Sequence, residues 1–166
     1  MLGGMATIDE VELLPDAEQH KLLVATLERV NRASNSARAA ALRRNAFEGA
    51  ALREIVKAEI ENAKLPDLLL RPIADRVEES LRRRAGKQQR FSQYQSLALP
   101  ASAFKWGGSD RVTMLTASGR RTIAVRVDRS RGDLRPPLAG RPAALLYRNG
   151  EFELWATDVE RKSEED

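Results

Sequence analysis

The amino-acid sequence predicts an α+β fold: a small β-barrel with a helical bundle inserted after its first strand. Three observations carry this prediction. Apolar residues recur at helical spacing from residue 16 to about residue 85, and at alternating spacing from about residue 89 onward. One strand-like run precedes the helices, and a lone strand has unpaired edges, so it must join the later sheet. Asn149-Gly150 lies between two alternating runs, the strongest short hairpin signal a sequence can carry. The expected division is a β domain from 6–15 and 89–160, a helical insertion over 16–88 and a charged tail over 161–166.

Residues 6–14 read as a strand that Pro15 ends. Asp16 is a good N-cap, and Gln19 three residues later completes a capping box. The helix that follows carries Leu23, Leu27 and Val30 on one face. It is expected to fade near Asn31, Ser34 and Asn35, whose side chains compete for backbone hydrogen bonds. A second, Ala/Arg-rich helix is expected over 36–47, with Gly49 as its breaker. A third shows Leu52, Ile55, Val56, Ile60 and Ala63 on one face. Leu65-Pro66-Asp67 stops it, and a fourth carries Leu70, Ile73, Val77 and Leu81; it either begins close to Pro72 or kinks there. Residues 93–99, 110–116, 120–127, 143–148 and 151–159 read as strands, with turns at Trp106-Gly107-Gly108-Ser109 and Ala117-Ser118-Gly119. An Arg/Gly/Pro-rich loop is expected between Asp128 and Pro142.

The 166 residues suit one medium domain, and 42% hydrophobic residues are enough for a core while 31% charged residues supply a wide polar surface. No apolar run reaches the roughly 18 residues of a membrane span, and the start does not read as a signal peptide. There is no cysteine, which excludes disulfides and thiolate metal sites and leads us to expect a cytoplasmic protein. The net charge of +4 hides a pattern: residues 81–148 hold 15 Lys/Arg against 3 Asp/Glu, whereas acidic residues outnumber basic ones on both sides. Thirteen of those fifteen are Arg, which holds phosphate bidentately and stacks on bases. Such a block predicts attraction to polyphosphate, beside the plainer reading of a solvated basic surface.

Catalytic material is sparse. The single histidine, His20, lies in a first helical turn and reads as a solvent-facing residue beside Glu18 and Gln19. There is no phosphate-binding glycine loop, and Asp110, Asp128 and Asp133 read as turn residues or Arg partners. No enzyme, metal site or cofactor is expected. The binding candidates fall in two groups. Arg82, Arg83, Arg84, Lys87 and Arg90 end the last helix; Arg120, Arg121, Arg126, Arg129, Arg131, Arg135 and Arg141 lie on strands and in the loop. Phosphate contacts are assigned to Arg82, Arg83, Arg84, Lys87, Arg90, Arg120, Arg121, Arg126 and Arg131, base stacking to Tyr94 and Trp106, and Lys105 is a further nucleic-acid-binding candidate. Phe91 and Phe104 read as core.

Thr7 to Asn35 resembles the opening of TnpB-type transposon proteins, with Pro15, Glu18, Gln19, Leu23, Leu27, Asn31 and Asn35 matching. Leu52 to Leu81, including Leu65-Pro66 and Val77, resembles the next helical pair, and Phe91, Ser96, Phe104 and Lys105 fit the strand segment after it. Val112 to Val125 and Arg148 to Thr157 are similar to that family's two strand–turn–strand units. The resemblance spans nearly all of residues 7–160 and implies a wedge-type β-barrel carrying a recognition lobe, as in related type V CRISPR effectors. These grip a guide RNA and read a short duplex motif beside the DNA target. The family's RuvC strand is not seen and its zinc cysteines are absent, so no catalytic or metal residue carries over; Asp9, Glu10 and Glu12 also make the usually basic first arm acidic. The implied function is a non-catalytic module that binds structured guide-type RNA, duplex DNA or both, without a membrane, and that a RuvC-type nuclease chain could complete in trans. The alternative is a protein-interaction module or a decayed transposon remnant.

Overall fold

The computed structural model describes residues 10–83, 90–108, 110–126 and 138–158. Their fold is α+β: three α-helices and a seven-stranded antiparallel sheet. The strands are β1 (Glu10–Leu14), β2 (Leu97–Leu99), β3 (Phe104–Trp106), β4 (Arg111–Thr116), β5 (Gly119–Arg126), β6 (Ala143–Arg148) and β7 (Glu151–Ala156); the helices are α1 (Ala17–Arg44), α2 (Gly49–Ala63) and α3 (Leu70–Arg82). Two compact units form. One is Met1–Gln19, Ser96–Leu115 and Arg120–Asp166, and the other is His20–Gln95 with Thr116–Gly119. Among the described residues no helix is long and apolar enough to cross a membrane.

The strand order is β2-β6-β7-β1-β5-β4-β3. The lone first strand therefore takes the central place, pairing Val11 with Leu154 on one side and Leu13 with Val125 on the other. Alternation puts Val11, Leu13, Val112, Met114, Ile123, Val125, Leu145, Phe152 and Leu154 on one buried face. Glu10, Glu12, Lys105, Thr113, Thr122, Arg126 and Glu153 fall on the other parity. Asn149 and Gly150, both at positive φ, close the β6–β7 hairpin as the sequence predicts. The expected barrel is not closed: among the described residues β2 and β3, three residues each, remain the two ends of an open sheet.

The helical region corrects the sequence reading most. Asn31, Ser34 and Asn35 do not break a helix; α1 runs through them for 28 residues. Ser34 bonds back to the Val30 carbonyl at 2.8 Å. The two asparagines point away from α1. Asn31 Nδ2 donates to the carbonyls of Gln93 and Gln95 at 3.0 and 3.1 Å. Asn35 takes both backbone groups of Phe91, donating to its carbonyl at 2.9 Å and accepting from its N–H at 2.8 Å. Residues 91–95 are thus gripped by α1, and the strand expected over 93–99 shrinks to Leu97–Leu99. Arg76 adds to this junction. Its Nη1 donates to Asn31 Oδ1 at 2.7 Å, and its guanidinium lies 4.4 Å from the centre of the Phe91 ring. Burial there lowers the Arg76 pKa to about 10.

Asp16 and Gln19 form the predicted capping box, at 3.1 and 2.8 Å. Gln19 also donates to the Thr122 carbonyl on β5 at 2.8 Å. Gly49 begins α2 instead of merely ending the helix before it. At the far end Arg29 donates to the Ala63 and Lys64 carbonyls, satisfying groups that a helix terminus leaves open. Pro72 is the third residue of α3, in the first turn, where its missing N–H has no helical acceptor to lose, so no kink is required. Trp106, assigned to a turn by the sequence, is the last residue of β3. His20 is half-buried, not solvent-facing.

Two stability outcomes follow from this packing. Leu13→Ala, at a site 2% exposed, is expected to lower the unfolding free energy in urea by about 2–5 kcal/mol, whereas exposed Glu10→Ala should change it by no more than about 0.5 kcal/mol. Asn35→Ala, which strands both backbone groups of Phe91, is expected to cost about 1–3 kcal/mol in the same assay.

Candidate nucleic-acid interface

The outward face of β3, β4 and β5 carries a group of exposed basic residues. Lys105 stands opposite Thr113 in register, and Thr113 Oγ1 lies 2.6 Å from Thr122 Oγ1, so these three side chains form one row across the strands. Arg120 and Arg126 share the parity of Thr122, and Arg111 shares that of Thr113. All four basic residues are exposed. Short threonines between long cations leave room for a phosphate backbone to approach. Arg111 is a residue the sequence reading missed, although the alternation of residues 110–116 places it on the polar parity. Its side chain lies over Gly107, where an added Cβ would come within 2.9 Å of Arg111 Cγ.

These cations differ in freedom. Arg120 donates to the carbonyls of Ser102 and Ala103 at 3.1 and 3.3 Å, so it braces the turn before β3. Arg121 starts the opposite parity; it is exposed, and its Nη1 donates to the Arg120 carbonyl at 2.8 Å. Arg126 lies 3.4 Å from Glu12 and belongs to a charged row across four strands. In that row Glu12 and Glu153 are direct cross-strand neighbours. Like charges so placed repel, and each is answered by an arginine: Arg126 beside Glu12, and Arg148 at 3.2 Å from Glu153. Trp155 donates its indole N–H to Glu153 at 2.7 Å and stacks under Arg148 at 4.8 Å. The middle of this face is therefore self-neutralised; toward β3 and β4, Lys105 is exposed and Arg111 lies 3.7 Å from Asp110 in an exposed pair that phosphate can displace.

Trp106 does not join Lys105 on that face. It registers with fully buried Val112, it is half-buried, and its indole N–H is buried with no hydrogen-bond partner among the described residues. That placement disfavours base stacking on its ring. In the helical unit, Arg82 pairs with Glu78 and Glu79 at 3.0 and 3.2 Å, and Arg83 pairs with Glu79 at 2.9 Å. Both arginines are well exposed, and exposed pairs of this kind are worth about 0–1 kcal/mol, so phosphate can displace the carboxylates. Arg90 is exposed. Tyr94 is 40% exposed and donates its hydroxyl to Glu28 at 3.1 Å. Arg84, Lys87, Arg129, Arg131 and Arg135 lie outside the described residues, as do Asp128 and Asp133. Among the described residues no cluster of three or more His, Asp or Glu is placed to hold a metal ion.

Arg141, one of the basic strand-and-loop group in the sequence, is occupied. Its Nε reaches both carboxylate oxygens of Asp158 at 3.2 Å and its Nη2 reaches one at 2.9 Å. This joins the residues flanking β6 and β7, where Thr157 N–H also donates to the Pro142 carbonyl at 3.1 Å. No family model matches the chain, and no curated protein matches it.

The Arg141 hydrogen bond holds the Asp158 carboxyl below the ordinary aspartate value. A depressed folded-state pKa means that the contribution is present above the ordinary aspartate range and is lost as pH falls through the folded value. Arg141→Gln should move the Asp158 titration upward toward that ordinary value when followed by carboxyl NMR; a titration left unmoved contradicts the assignment.

Proposed function

We propose that this chain is a non-catalytic nucleic-acid-binding module that resembles the guide-RNA and target-motif binding half of a TnpB-type effector. In this reading the open seven-stranded sheet is the wedge-like domain and the three helices are the recognition lobe. The module acts in the cytoplasm, and a separate RuvC-type chain supplies cleavage. The observation that carries the reading is the exposed row of Lys105, Arg111, Arg120 and Arg126 around Thr113 and Thr122. It is a strand face offering cations with small polar residues between them, the arrangement that lets a phosphate backbone lie close. The strand–helices–strands order, with β1 central in a sheet built from later strands, supports the family likeness.

Affinity on this reading comes mainly from phosphate neutralisation and is salt-dependent. The test is fluorescence anisotropy of the purified chain with a structured RNA hairpin and with duplex DNA over a range of salt. Log affinity should fall linearly with log salt. The double variant Lys105→Ala, Arg111→Ala should flatten the duplex-DNA slope by about 1 for each phosphate that is no longer neutralised. Co-purification from the native host should yield one structured RNA species, released at high salt. No binding of either nucleic acid at low salt overturns the proposal.

A further inference from the structure

The helical unit holds a groove of about 300 Å³ between the end of α1, the start of α2 and the end of α3. Its walls are Leu42, Phe47 and Leu81, and its rim carries Arg38, Glu48, Glu78 and Arg82. Leu42 is 48% exposed and Phe47 is 39% exposed, so two of the chain's exposed large apolar side chains meet at one place. Isolated exposed apolar residues are ordinary; two of them lining a concave site with charged groups around it make a candidate ligand groove. At this volume the groove suits one small, flat group.

The rim specifies which. Glu48 occupies the N-cap position of α2 but makes no side-chain cap bond, so its carboxylate is not committed to the helix it precedes. It follows Phe47 directly. Both line the groove, and a carboxylate on its rim can accept the two adjacent N–H donors of a guanine edge while an aromatic wall stacks on the base. Adenine, cytosine and uracil offer no such pair of donors. Arg38, anchored through Nε to Ser80 Oγ at 2.7 Å, and Arg82, held by weak exposed pairs, supply cations for the attached phosphate. We propose that this groove is a reading site for a single unpaired guanine of a bound RNA strand. Phe47 stacks the base, Glu48 accepts from its edge, and Arg82 and Arg38 hold its phosphate. The inference rests on the nucleic-acid reading above and deepens it by naming a base.

The test uses the full chain and follows amide NMR signals around Leu42, Phe47 and Glu48. The probes are guanosine, adenosine, cytidine and uridine monophosphates and a trinucleotide with central guanine. Guanosine monophosphate is expected to bind saturably, the other three at least roughly tenfold more weakly, and the trinucleotide more tightly than the free nucleotide. Glu48→Gln should lower guanine affinity roughly tenfold while leaving adenosine monophosphate unchanged, and Phe47→Ala should weaken all bases. Both side chains are exposed, so the variants should keep the fold, which circular dichroism checks. Equal binding of all four nucleotides overturns the guanine assignment, and binding of the free nucleotide without the trinucleotide overturns the RNA-strand source. No shift near the groove with any probe, while the chain still binds structured RNA through its β3–β5 face, overturns the groove and leaves the broader proposal intact.

Discussion

Five residues, Glu10 to Leu14, hold the sheet in one piece. Without β1 the order β2-β6-β7-β1-β5-β4-β3 falls into two three-stranded halves, because among the described residues β5 and β7 share no partner other than β1. Val11 and Leu13 supply the buried side of that joint, and the row Arg148, Glu153, Glu12, Arg126 crosses it on the other side. The partners of β1 lie more than a hundred residues further along the chain. Closing so long a loop is entropically costly but grows only slowly with length, so a helical segment can occupy the interval at little further expense. The cost falls instead on folding rate, since central pairing waits for the last strands.

The return from the helices to the sheet depends on a different device. Residues 91–95 have little regular structure of their own, and Asn31 and Asn35 satisfy their backbone groups from the side of a helix. Here propensity misleads. Asparagine in a helical pattern ordinarily signals an end, yet α1 continues past both residues. The deciding factor is tertiary: the spacing of 31 and 35 puts both amides on one face, where a segment sixty residues away meets them. Nothing in the local sequence announces that partner. By contrast, the capping box at Asp16 and Gln19, the Leu65-Pro66 stop and the Asn149-Gly150 hairpin are legible because each depends only on neighbours a few residues apart.

The charge block is equally legible as a total and equally silent about its use. Thirteen arginines in one stretch look interchangeable in the sequence. In the fold, Arg141 is committed to Asp158, Arg120 to two backbone carbonyls, and Arg126 and Arg148 to paired glutamates. Each commitment depends on register, and register is set by turns and burial far from the arginine itself. Arg111 shows the converse: overlooked within a short run, it emerges on the exposed polar parity once β4 pairs with β3. Trp106, read as a turn residue, ends β3 instead, and there its register with Val112 puts the ring on the parity opposite to Lys105.

On the proposed reading, the two units would divide recognition between them. A strand face with cations around threonines can hold phosphates but has no means of telling one base from another, so it gives affinity that salt erodes. The helical groove has the opposite composition. Its apolar walls and mixed charges attract a polyanion weakly, yet a carboxylate beside an exposed ring can discriminate one base edge. Affinity without discrimination would trap such a module on any nucleic acid, and discrimination by one base alone would be too weak to retain a partner. Placing them on separate elements lets each be tuned independently of the other, because a substitution at Glu48 leaves the β3–β5 cations in place, and one at Lys105 leaves the groove untouched.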